Sequence, residues 1–144
     1  KKNCENKIPK PSNLTDIDNK LIEKLKNETP KLINLINNQN LNEFVKIVVN
    51  FSFEANKYFN DAEPWSIKNS DQERMKNILF TISEQIKNLS ILLSPIMPHS
   101  TNKVLMAMNI KKEEIMIKNI NNLKCFDHNV ELKKLDILFN KIEK

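Results

Sequence analysis

The chain has 144 residues, of which 40% are hydrophobic and only 6% are aromatic, so it can bury one core made mainly of aliphatic side chains. It contains no glycine. This excludes the glycine-rich phosphate loops of P-loop and dinucleotide-binding proteins. The net charge of +5 is compatible with a polyanionic partner and equally with a mixed, solvated surface.

Cysteine usage and hydropathy indicate the cellular compartment in which we expect the protein. Two cysteines far apart in a charged chain without a signal peptide, Cys4 and Cys125, indicate reduced thiols in a cytoplasmic protein. No apolar run approaches the roughly 18 residues of a membrane span, so we expect no membrane partner. The chain begins with Lys1 instead of Met, and we expect that it was processed or belongs to something longer.

Hydrophobic periodicity predicts an all-α fold, a bundle of about four or five helices. Residues 1–13 are polar and proline-containing and should form an extended lead-in. A first helix is predicted over 16–38, capped by Thr15 or Asp16. Pro30 falls inside this helix and should kink or break it.

Two longer apolar patterns follow. A second helix is predicted over 41–61, where Asn40 and Glu43 can form a capping-box-like pair. A third is predicted over 71–93 with Ser70 as its cap. The apolar surface of this third helix is broad, so we expect it to be central and packed on more than one side.

The last third of the chain is less clearly patterned. A short helix is predicted over 99–108, with Pro98 near its first position. Residues 109–130 show no assignable pattern. A final helical stretch is predicted over 131–142.

The joint between the second and third helices contains the only tyrosine and the only tryptophan, Tyr58 and Trp65. Pro64 has a fixed φ and should favour an extended Glu63, so the second helix should end by Asp61 or Ala62. A rigid, exposed indole is suited to stacking on an unpaired nucleobase. The alternative is a partly buried core or interface aromatic.

No catalytic or metal constellation is evident. Cys125 and His128 have ligand-like spacing, but a structural zinc site needs four ligands. His99 should cap or line a helix N-terminus, and the carboxylates on helix surfaces indicate solvated charge. Four basic residues near the tryptophan could contact phosphates or simply face solvent: Lys57, Lys68, Arg74 and Lys76.

An ordered set of residues resembles the anticodon-binding domain of methionyl-tRNA synthetases. The set consists of Ala55, Asn56 and Tyr58, then Pro64 and Trp65, then Leu92 to Pro98, and finally 138–143, with Asn140 where the family commonly has proline. Leucyl, isoleucyl and valyl synthetases share the helical fold, but the Tyr then Pro-Trp arrangement is similar to the methionyl type.

The resemblance implies roles for several residues. Trp65 would stack on an unpaired anticodon base of the methionine tRNA, and Pro64 would shape its loop. Asn56 and Tyr58 would support or line the site. The family also uses an Asn and an Arg on a preceding helix, which would lie upstream of Lys1.

The resemblance also implies the larger protein. It would be a methionine–tRNA ligase that uses ATP with magnesium in a catalytic domain of the same polypeptide, while this chain contributes no cofactor site and no catalytic residue. Residues 131–144 would pack towards that domain, which should leave an apolar patch exposed here. Two alternatives stay open: a helical protein–protein interaction domain, or the equivalent domain of another class I synthetase.

Overall fold

The structure, a computed structural model, describes residues 4–139. It contains four α-helices: α1 (Asp16–Asn37), α2 (Leu41–Ala62), α3 (Gln72–Leu93) and α4 (Pro98–Ala107). Within 4–139 the extended structure is limited to one isolated antiparallel bridge, between Lys7 and Glu131. The predicted all-α bundle is confirmed. None of the helices in this range has the length and apolar character needed to cross a membrane.

Side-chain caps fix where α2 and α3 begin. Asn40 caps α2 by accepting a hydrogen bond from the Glu43 amide at 3.4 Å, as the sequence predicts. Asp71, not Ser70, caps α3, and its carboxylate accepts from the Arg74 amide at 2.8 Å. The Ser70 hydroxyl instead donates to a carbonyl in the preceding turn. A carboxylate is also favoured there by the helix dipole.

Pro30 does not break α1, which runs without interruption from Asp16 to Asn37. A proline in a helix interior removes one backbone hydrogen bond and crowds the preceding turn. Here Leu25 and Leu32, on either side of Pro30, are both completely buried. The Thr29 hydroxyl also donates to the Leu25 carbonyl at 2.9 Å. Tertiary packing therefore holds the helix through the proline, and the predicted break is wrong.

Helix α3 is the centre of the bundle and packs against α1, α2 and α4, as its broad apolar surface predicts. It also buries an unusual number of polar side chains. These are Asn77, Thr81, Glu84, Gln85, Lys87, Asn88 and Ser90. Buried polar groups need hydrogen-bond partners, and several of those on α3 find them on the lead-in, on α1 and on the segment after α4.

The segment after α4 is irregular but packed. It contains three single-turn 3-10 helices, Lys112–Glu114, Ile117–Asn119 and Leu123–Cys125. Ile110, Ile120 and Phe126 belong to the main core. The Lys87 ammonium donates to the Asn122 carbonyl at 2.9 Å, which fixes this segment against α3.

The predicted helix over 131–142 is wrong for 131–139, which is not helical, and its remaining residues lie outside the described range. Its backbone pairs instead with distant parts of the chain. The Leu132 amide donates to the Asn6 carbonyl at 2.7 Å, and the Lys133 amide donates to the Ala107 carbonyl at 2.9 Å. The lead-in is also less peripheral than its polarity suggests, because Ile8 is buried in the core.

Candidate nucleic-acid interface

The candidate interface centres on the loop that joins α2 to α3. Helix α2 ends at Ala62, as predicted, and Glu63 follows it in the left-handed region with φ 39° and ψ 57°. The expectation of an extended Glu63 is therefore wrong. A left-handed residue at this position is a common way to end a helix, and this geometry overrides the bias imposed by Pro64.

This turn presents the tryptophan. Ser66 holds the turn through two hydrogen bonds to the Glu63 carbonyl, from its amide at 2.9 Å and from its hydroxyl at 2.8 Å. The Trp65 ring packs edge-to-face on Phe59, with ring centroids 5.6 Å apart and planes at 71°. Even so, 53% of Trp65 is exposed. The indole is therefore exposed, although it also contacts Phe59.

A buried carboxylate ties together the three helices at the base of this loop. Asp18, in the first turn of α1, is completely buried. Its oxygens accept hydrogen bonds from the Thr15 amide at 2.9 Å, from the Tyr58 hydroxyl and from both terminal nitrogens of the Arg74 guanidinium, one of them at 3.0 Å. Tyr58 lies in the last turns of α2 and Arg74 in the first turn of α3, so both ends of the loop are fixed.

The electrostatics of this cluster follow from its geometry. Burial by itself would raise the pKa of Asp18, but hydrogen bonds from Arg74, Tyr58 and Thr15 outweigh it and lower the pKa below its usual value. Burial and the hydrogen bond to Asp18 raise the pKa of Tyr58. Asp18 is therefore an anion at neutral pH, and the phenol stays protonated and donates to it.

The expected site residues fall into two groups. Asn56, Lys57, Trp65 and Lys68 are exposed, whereas Tyr58 and Pro64 are buried. The buried pair supports the loop from within and offers no surface to a ligand. The Lys57 ammonium donates a hydrogen bond to the Asp61 carboxylate at 2.8 Å, and this bond raises the pKa of Lys57.

Two residues of the cluster were misjudged from sequence. Arg74 was considered as a phosphate contact or a solvent-facing cation, but its guanidinium is committed to Asp18. For Asp18 the sequence offers only the general expectation that carboxylates on helix surfaces are solvated, which is wrong here because its side chain is completely buried. The available signal was its spacing, three residues after Thr15, where a capping box places an acidic or amide side chain.

Cys125 and His128 each make a hydrogen bond to another part of the chain. The Cys125 thiol donates to Glu114 at 3.2 Å, and burial together with this hydrogen bond raises the pKa of Cys125 to about 11. His128 bonds the Ile8 carbonyl at 3.1 Å. His99 lies in the first turn of α4. Across 4–139 no group of three or more His, Cys, Asp or Glu side chains is placed to hold a metal ion.

Comparison with known sequences identifies the family. The family described as "Anticodon binding domain of methionyl tRNA ligase" matches residues 8–144. A methionine–tRNA ligase of Bacteroides fragilis is 29% identical over 139 residues, which is 96% of this chain and 20% of the relative. One of Rickettsia felis is 34% identical over 86 residues, 60% of this chain and 17% of the relative. The chain thus spans about a fifth or less of the length of these relatives.

Comparison with solved structures agrees on the fold. The free form of methionyl-tRNA synthetase from Mycobacterium tuberculosis superposes with a TM-score of 0.90 at 20% identity, over 99% of this chain and 29% of that one. The same enzyme bound by methionyl-adenylate gives 0.78 at 22% identity, over 83% and 24%. Because the family match covers almost the whole chain, this protein belongs to the anticodon-binding domain family of methionyl-tRNA ligases.

Proposed function

We propose that this domain binds the anticodon loop of the methionine tRNA, and that Trp65 stacks on an unpaired base of that loop. The exposed indole on a fixed turn is the observation that carries the proposal. Single-stranded RNA is recognised by splaying bases onto aromatic rings and bonding their edges. The exposed amide of Asn56 and the exposed lysines Lys57 and Lys68 supply edge and phosphate contacts nearby.

Support for a rigid site comes from the Asp18 cluster. A loop that is fixed at both ends loses little conformational freedom when it binds, so more of the stacking energy contributes to affinity. Pro64 contributes by its buried, stiff backbone, and Tyr58 by its hydrogen bond to Asp18. In this proposal neither residue touches RNA, although both shape the surface that does.

We further propose that the domain belongs to a cytoplasmic methionine–tRNA ligase, which attaches methionine to its tRNA using ATP with magnesium. The length of the relatives supports a separate catalytic domain on the same polypeptide. A chain without glycine has no phosphate loop, so ATP would be held by that other domain. The exposed apolar side chains of Leu135, Ile137 and Phe139 support packing of 131–144 towards it.

Binding of an anticodon stem-loop tests the role of Trp65. The full-length ligase should bind a CAU stem-loop, and Trp65→Ala should weaken that binding by about 1–3 kcal/mol. Trp65→Phe, which keeps an aromatic face, should lose less. Retention of full affinity in Trp65→Ala would overturn the proposal.

A stem-loop with a scrambled anticodon is the matched control for specificity. Equal affinity for both loops would place the anticodon reading outside this chain and leave Trp65 as a general stacking surface. Affinity for the CAU loop should also fall as the salt concentration rises. In a plot of the logarithm of the binding constant against the logarithm of salt concentration, the slope should be about −0.7 per neutralised phosphate.

A further inference from the structure

A second exposed aromatic lies in the middle of α2. Phe53 is 65% exposed, which is more than Trp65. The opposite face of the same helix is buried, with Phe44, Val48, Phe51 and Ala55 in the core. Burial of Phe53 therefore contributes little to the stability of the fold. Its exposed ring, fixed on a rigid helix, is available to a partner.

Helix geometry connects this ring to the tryptophan loop. Residues three apart are neighbours on a helix surface, with about 5–6 Å between their Cβ atoms. Phe53, Asn56 and Phe59 therefore form one diagonal row, and the Trp65 ring packs on Phe59 at its far end. We call the set made of Phe53, Asn56, Phe59 and Trp65 the aromatic row.

We propose that the aromatic row is a single RNA-binding surface and that Phe53 stacks on a second unpaired base of the loop whose first base lies on Trp65. This inference rests on the proposed function of Trp65. Phe59 lies six positions after Phe53, about 9 Å further along the helix axis. Successive bases of a stacked strand are about 3.4 Å apart, so a few nucleotides span the row.

The chemistry of the row suits a nucleobase. Rings at both ends offer faces for stacking, and the exposed Asn56 between them has a donor and an acceptor for the edge of a base. The row contains no carboxylate. Of the neighbouring acids, Glu54 is paired with Lys24 at 2.6 Å and Asp61 with Lys57 at 2.8 Å, whereas Glu63, two residues before Trp65, is exposed.

Replacing Phe53 tests the inference in the full-length ligase. We expect Phe53→Ala to weaken binding of a CAU stem-loop about tenfold, which corresponds to about 1.4 kcal/mol. Phe53→Leu keeps an apolar side chain without the ring and should not restore affinity, whereas Phe53→Tyr should. The salt dependence of binding should be unchanged, because no phosphate contact is removed.

Two further measurements locate the effect. 2-Aminopurine placed at successive loop positions should show quenching at two positions, of which Phe53→Ala abolishes one and Trp65→Ala the other. Met106→Ala, on α4 and 52% exposed, is a matched surface control that should bind like the parent protein.

The outcomes separate this inference from the proposed function. If Trp65→Ala weakens binding and Phe53→Ala does not, the inference is overturned while the function of Trp65 stands. If neither variant weakens binding, both are overturned. If Phe53→Leu restores affinity, or if Phe53→Ala lowers kcat at saturating tRNA without changing Kd, the face makes an apolar protein contact and the inference is overturned.

Discussion

Two carboxylates are completely buried in this bundle, Asp18 at the tryptophan end and Glu84 in the middle of α3. Asp18 accepts hydrogen bonds from three side chains or amides on three structural elements. Glu84 accepts from one group, the Lys87 ammonium at 2.7 Å, and its second oxygen has no partner. The same chemical group is thus fully satisfied in one place and half satisfied in the other.

The pKa values of the two carboxyl groups are shifted in opposite directions, in line with this difference in hydrogen bonding. Hydrogen bonds outweigh burial at Asp18 and lower its pKa, whereas burial outweighs Lys87 at Glu84 and raises its pKa. A satisfied carboxylate stabilises the fold as an anion and fixes the loop that carries Trp65. The Glu84–Lys87 pair adds little net stability to the fold, because desolvation of both charges offsets their attraction. Removing only one partner is nevertheless costly, because it leaves the other charge buried and unpaired.

The largest expected effect comes from breaking the α3 pair. Lys87→Met should lower the free energy of unfolding by about 3–5 kcal/mol, because Glu84 would be left as an uncompensated buried charge. The Asn122 carbonyl would also lose its donor. Urea denaturation of the single variant measures this cost.

The double variant is the control for that experiment. Glu84→Leu combined with Lys87→Met removes both charges and should recover most of the lost stability. A single Lys87→Met variant as stable as the parent protein would contradict the view that this pair is buried and ionised.

A smaller effect is expected at Asp18. Asp18→Asn should cost about 2 kcal/mol, because hydrogen bonds to a charged acceptor are replaced by weaker ones. Asp16→Asn, an exposed residue in the same helical turn, is the matched control and should change stability little. Equal costs for the two variants would show that burial of Asp18 is unimportant.

The pH dependence of stability sharpens the comparison further. The lowered pKa of Asp18 gives stability that is present above pH 3.8 and lost as pH falls through the folded value. The raised pKa of Glu84 acts oppositely, so its contribution becomes more favourable as pH falls towards 4.5. Thermal melts at several pH values measure both contributions. Asp18→Asn should reduce the loss of stability at acidic pH, whereas Glu84→Gln should remove the increase in stability that occurs as pH falls towards 4.5.

The smallest effect on stability is expected at Trp65 itself. Trp65→Ala should cost about 0.5–1.5 kcal/mol, the value of one edge-to-face aromatic contact, because the ring is half-exposed. Phe80→Ala is the contrasting control, since Phe80 is completely buried, and should cost about 3–5 kcal/mol. Similar melting temperatures for the two variants would place Trp65 in the core instead.

Much of this fold could be predicted from the sequence. Hydrophobic spacing predicts all four α-helices to within one or two residues at most of their ends, whereas the proline turn alone left Trp65 either exposed or partly buried. Local capping also worked at Asn40. These features depend on residues that are close together in the chain, and a periodic sequence pattern reflects such local relationships.

Two of the errors have a different, long-range origin. The non-helical course of 131–139 depends on hydrogen bonds from Leu132 to Asn6 and from Lys133 to Ala107. The burial of Asp18 depends on Arg74, 56 positions away. A single sequence does not show which distant residues pair. The apolar spacing of 131–142 therefore predicts a helix, and Asp18 is grouped with the carboxylates that face solvent.

The absence of glycine has a consequence for the gene. Among residues 4–139, six non-glycine residues have positive φ: Glu5, Asn6, Gln39, Glu63, Asn109 and Asn121. Three are asparagine, the residue that tolerates this conformation best after glycine. Glycine codons begin with two guanines, whereas asparagine codons consist of adenines and one pyrimidine. A coding sequence that drifts towards A and T can therefore keep its left-handed turns by exchanging glycine for asparagine, at a small conformational cost for each turn.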